Sequence, residues 1–184
     1  MHSIPTLLVT GADRAAKTTF LRALLALRPP RERWALLDND DNPAPEGGSA
    51  QDLFLASAGG CACCTGRVSL QTGVVRLLRE ARPQRLVIVA AVAAEPDALL
   101  QTLQQEHLAV ALRLARNQCV AATSLQRAGE AARDLWLRQL RAADDVVAAD
   151  DGAAAALDGL SMRVIGISEA TGLALAGLAR AARS

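Results

Sequence analysis

Short apolar runs of β type alternate along this chain with stretches whose leucines recur at helical spacing, and few architectures accept that alternation. Thr6-Leu7-Leu8-Val9-Thr10 reads as a buried strand ending at Gly11. Lys17 to Leu27 follows as a helix carrying Leu21, Leu24 and Leu25, stopped by Pro29-Pro30. Trp34 to Leu37 is a second strand, Leu70 to Ala81 an amphipathic helix, and Leu86 to Ala91 a strand apolar on both faces. Further strands are predicted near Cys119 to Ala122, at Val146 to Ala148 and at Arg163 to Ser168, with helices over Gln126 to Ala142 and Leu173 to Ala182. Asn42 to Gln51, rich in Pro, Gly, Ser and Ala, reads as a loop. The alternation predicts an α/β protein: a parallel sheet covered by helices on both faces, with ligands at the carboxyl ends of the strands. With 184 residues, no internal repeat and no linker, residues 1–184 read as one domain.

Composition removes several function classes. The chain is 51% hydrophobic but 2% aromatic, so its core must be Leu, Val, Ile and Ala. A net charge of +1 leaves no electrostatic footprint for nucleic acid or an anionic membrane, and neither partner is expected. The longest apolar run, Leu86 to Ala94, is too short to span a bilayer, and no secretory leader is read at the N-terminus. Cys61, Cys63 and Cys64 lie too close together for a disulfide framework, which points to a reducing, cytoplasmic setting.

Gly11-Ala12-Asp13-Arg14-Ala15-Ala16-Lys17-Thr18-Thr19 joins the first strand to the first helix. A phosphate-binding loop needs Gly, four residues, then Gly-Lys-Ser/Thr there: backbone N–H groups face the phosphates, Lys neutralises them, and the hydroxyl ligates magnesium. Gly11, Ala15, Ala16, Lys17, Thr18 and Thr19 are therefore the candidate nucleotide-binding residues. Lys17 is the only lysine beside 19 arginines, which suits a compact point charge for phosphate. Ala16 replaces the second glycine and points a methyl group toward the phosphate, and Asp13 adds a negative charge beside it. The competing reading is an ordinary strand–turn–helix.

Three thiols within Cys61-Ala62-Cys63-Cys64, behind Gly59-Gly60, can turn toward one soft cation such as Zn, Co or Cu(I). Zinc takes four ligands, leaving a position for Asp40, Asp41, His107 or water. A redox role for the thiols and an inert Gly-rich turn are the other readings. Cys119 falls in a predicted buried strand and reads as a small hydrophobe. Asp38, Asp40 and Asp41 end a strand on the ligand edge and suit either magnesium or a hydrated turn. Asp144-Asp145 and Asp150-Asp151 are expected to flank a strand in solvent.

These segments resemble the CobW-type P-loop GTPases, relatives of the HypB and UreG metallochaperones. The similarity runs through IPTLLVTGADRAAKTTFL (residues 4–21), ALLDND (35–40) and LASAGGCACC (55–64), with ISEATGL (167–173) similar to the family's base-contacting loop. The resemblance implies a P-loop NTPase-like sheet, GTP and magnesium as ligands, and a Zn or Co site at Cys61, Cys63 and Cys64. It further implies a nucleotide state that gates metal delivery to a client metalloprotein.

The departures weaken the nucleotide half. Val89 and Val92 replace the family's acidic residue and glycine after the Leu86 strand, and Ala148 to Gly152 has no Asn-Lys-x-Asp. Arg14 and Ala16 replace loop glycines, and the family's usual C-terminal domain is not expected beyond the last helix. Each lost electrostatic group typically costs ~10²–10³ in rate, so GTP hydrolysis is expected to be weak or lost. A non-hydrolysing metal-binding or interaction domain on the same fold is the alternative.

Overall fold

The computed structural model describes residues 3–39, 53–57, 66–124, 129–158 and 160–183. Seven parallel strands form one sheet in the order β3-β2-β4-β1-β5-β6-β7: β1 (Ile4–Thr10), β2 (Trp34–Asp38), β3 (Leu53–Ser57), β4 (Arg85–Val89), β5 (Leu112–Ala121), β6 (Asp145–Ala148) and β7 (Val164–Gly166). Helices α1 (Arg14–Ala26), α2 (Gly66–Ala81), α3 (Pro96–Leu103), α4 (Glu106–Ala109), α5 (Glu130–Arg141), α6 (Asp151–Leu157) and α7 (Ile167–Ala181) connect or follow them. A doubly covered parallel sheet is the α/β architecture expected from the alternation, and it fits the P-loop NTPase-like sheet that the resemblance implies.

Strand period 2 divides the core cleanly. Leu7, Val9, Val87 and Val89 face α1 and α7, where Phe20, Leu24, Ala174 and Leu178 cover them. Leu8, Leu86 and Ile88 face the opposite layer of α2 and α3, built on Leu70, Val74, Leu77 and Leu99. A third cluster joins Cys119, Ala121 and Val146 to Trp136 and Leu140 of α5. Each fully buried Leu or Val contributes about 1.5–3 kcal/mol, so a nearly aromatic-free core suffices.

Several boundaries differ from the sequence expectation. α1 starts at Arg14 rather than Lys17 because Asp13 caps it. β5 is ten residues long, since its polar Arg113, Arg116 and Asn117 still pair with β1. β7 stops at Gly166, which caps α7, so Ile167–Leu173 forms the first turns of a helix. β3, α3, α4 and α6 were not expected.

The aspartates beside β6 are not simply solvated. Asp145 is 1% exposed. Arg116 donates to it from Nε and from Nη2, the latter at 3.0 Å, and Gln118 Nε2 donates at 3.2 Å. The Arg116 guanidinium holds the Asp145 carboxyl below the usual carboxylate range, against the opposing effect of burial. A lowered folded-state pKa gives stability that is present above the unfolded value of about 3.9 and lost as pH falls through the folded one. Asp145→Asn is expected to cost about 3 kcal/mol at pH 7 in urea denaturation. The gap to wild type should narrow below about pH 4.

Candidate nucleotide and metal site

The carboxyl end of β1 opens onto Gly11, whose φ is +136°; a Cβ there would lie 2.3 Å from the Val120 carbonyl oxygen. Only glycine accepts both the backbone conformation and the approach of β5. Two residues on, Asp13 is extended and its Oδ1 accepts from Ala16 N at 2.8 Å, while Ser124 Oγ donates to its Oδ2. Arg14, Ala15 and Ala16 are thereby wound into α1, and Lys17 N bonds Asp13 O at 3.1 Å as an ordinary helical turn.

Lys17 is fully buried, and its Nζ donates to the Ala90 carbonyl at 2.6 Å, just past the end of β4. Thr18 and Thr19 donate their hydroxyls back to Arg14 O and Ala15 O, each at 3.0 Å. Both retain oxygen lone pairs for a cation. The predicted residues Gly11, Ala16, Lys17, Thr18 and Thr19 are thus gathered on one edge, with Ala15 on the exposed first turn. At the neighbouring strand ends, Asp38 closes β2, and Asn39 N bonds Val89 O at 2.9 Å. Asn39 is buried, and neither polar atom of its side-chain amide has a hydrogen-bond partner among the described residues.

The turn after β4 is fastened by groups that sequence reasoning missed. Gln139 of α5 donates to Val92 O at 3.2 Å and to Ala94 O at 2.9 Å, and Arg138 pairs with Glu95 at 2.8 Å. Asp150 caps α6 through Ala153 N at 2.7 Å and also receives the Thr123 hydroxyl. These hydrogen bonds lower its carboxyl pKa, that of Thr123 most. An N-cap aspartate three residues before a helical N–H was a usable sequence signal at both Asp13 and Asp150. A cavity of about 280 Å³ lies beyond β6 and β7, lined by Asp150, Asp151 and Ile167.

Cys61, Cys63 and Cys64, with Asp40 and Asp41, lie outside the described residues. β3 ends at Ser57 on the carboxyl edge and α2 begins at Gly66, so the cysteines fall in the sequence between these two points. His107 sits in α4 immediately before β5 starts, toward the opposite edge, in a groove of about 610 Å³ beside α2. Cys119 is wholly buried, and desolvation pushes its thiol up to about 12, as befits a core residue.

Residues 5–156 match the CobW/HypB/UreG nucleotide-binding domain. The chain belongs to this family. The CobW-type domain is 32% identical over 146 residues to the zinc chaperone YeiR of Escherichia coli K12, covering 77% of this chain and 44% of YeiR. It therefore spans less than half the length of that relative. In structure it resembles the Zn(II)-bound YjiA GTPase of E. coli, with TM-score 0.61 at 18% identity, over 90% of this chain and 57% of that one. It also resembles nickel-bound HypB from Helicobacter pylori, with TM-score 0.54 at 10% identity, over 97% and 88%. At these identities the structural likenesses establish the fold.

Gly11→Ala tests the tightest point of this CobW-type edge. The variant is expected to lose about 2 kcal/mol or more in urea denaturation, from left-handed strain plus the Val120 contact.

Proposed function

We propose that this domain is metallochaperone-like and binds Zn or Co through Cys61, Cys63 and Cys64. Its P-loop-derived edge, with Gly11, Ala15, Ala16, Lys17, Thr18 and Thr19, binds GTP weakly, and hydrolysis is weak or lost. The observation that carries the metal half is the cysteine spacing itself: three thiols in four residues, between β3 and α2 of a CobW-family sheet. Thiolates select soft transition metals, and three of them leave a position open for exchange. The zinc chaperone YeiR and the zinc- and nickel-bound GTPase relatives support the same reading. The metal is cargo for a client metalloprotein in the cytoplasm. Among the described residues, no helix is long and apolar enough to cross a membrane.

The nucleotide half rests on the carboxyl edge. Magnesium prefers hard oxygen ligands, and the Thr18 hydroxyl and Asp38 carboxylate are such donors. Bound with GTP, the ion would neutralise phosphate charge. Against efficient chemistry stand Val89 and Val92, which offer no carboxylate and no free turn glycine, and the helical winding of Arg14 to Ala16. The same observations favour the second reading, a metal-binding or interaction domain that no longer uses nucleotide.

Native mass spectrometry of the thiol-reduced protein is expected to show one Zn or Co per chain. Cys63→Ala should weaken binding by well over the roughly 10–100-fold typical of losing an outer-shell group. No metal on the wild type contradicts the metal half. Phosphate release from GTP with magnesium should stay at background over hours. Magnesium-dependent turnover preferring GTP to ATP contradicts the weakened nucleotide half.

A further inference from the structure

The cation and the helix terminus that would receive a phosphate are both satisfied from inside the protein. α1 runs for 13 residues, and its N-terminus carries Asp13 as a fixed carboxylate. One oxygen takes the Ala16 N–H at 2.8 Å and the other the Ser124 hydroxyl. The free N–H groups and positive dipole end of such a helix are what bind an anion. Here a side-chain anion already takes one of those N–H groups, that of Ala16. Lys17 meanwhile is turned onto the Ala90 carbonyl at 2.6 Å with no exposed surface.

We propose that Asp13 is a built-in counter-anion that sets this domain's affinity for polyphosphates. A nucleoside di- or triphosphate must displace the carboxylate from Ala16 N–H and then sit beside its charge. Two unit charges about 5 Å apart at an effective dielectric near 20 set an upper bound of roughly a hundredfold or more on this penalty, which water at the half-buried Asp13 screens to a smaller one. The inference rests on the proposed nucleotide role of this edge. It adds that the weakness is intramolecular and reversible by one substitution.

Asparagine caps helices as well as aspartate, so Asp13→Asn removes the charge and keeps the cap. Asp13→Ser, an uncharged cap of different shape, guards against a folding defect confined to the first variant. Calorimetric titration of the full chain with inorganic tripolyphosphate, and with GTP and magnesium, reads the effect, with thermal melts confirming the fold. Both variants are expected to bind tripolyphosphate at least fivefold more tightly than wild type. A smaller gain overturns the inference. Wild-type binding of GTP that Asp13→Asn leaves unchanged sinks the inference while the nucleotide reading survives. No binding by any of the three proteins at millimolar ligand sinks both. Zinc retention by the same samples in native mass spectrometry reports on the metal reading independently.

Discussion

The ammonium of Lys17 on the carbonyl of Ala90 is the interaction around which the ligand edge is arranged. Removing a cation from water costs several kcal/mol, so a fully buried Lys needs fixed acceptors held in place by the fold. The central β1–β4 pairing brings the end of β4 beside the start of α1. Gly11 lets the chain turn tightly against β5, and Asp13 starts the helix early enough to point Lys17 inward. Gln139 and Arg138 then hold the turn that carries Ala90 from the other side. The branched, planar guanidinium used at 19 other positions would not fit a point contact of this kind.

Fold class was legible in the sequence because parallel strands buried on both faces read as continuous apolar runs, as at Leu7 to Val9 and Leu86 to Val89. What escaped was governed by tertiary context. The amino half of β5 alternates Leu112 and Leu114 with arginines, and only its register against Ile4 to Thr6 makes it a strand. Asp145 looked like solvent chemistry, yet Arg116 arrives from the neighbouring strand to bury it. The early start of α1 and the presence of α6 were available as capping signals at Asp13 and Asp150. The phosphate-loop pattern masked the first of them, because it demands a loop where the capping rule demands a helix.

Membership of the CobW/HypB/UreG family joins two halves whose chemistry has diverged in this chain. Gly11, Lys17 and Thr18 remain in place, but the first turn of α1 is closed by a carboxylate, and the turn after β4 is apolar and pinned. The three cysteines stay together, in the stretch that links the carboxyl end of β3 to α2. On the reading proposed above, a domain so arranged would hold metal without needing a nucleotide to set its conformation.

Coupling between the two ligands tests that account most directly, since any nucleotide effect on metal affinity must appear reciprocally as a metal effect on nucleotide affinity. Zinc affinity should be measured by competition with a chromophoric chelator, with and without saturating GTP and magnesium. The account predicts cysteine-dependent zinc binding whose affinity is the same in both conditions. A nucleotide-induced change of tenfold or more, or no zinc bound in either condition, would contradict it.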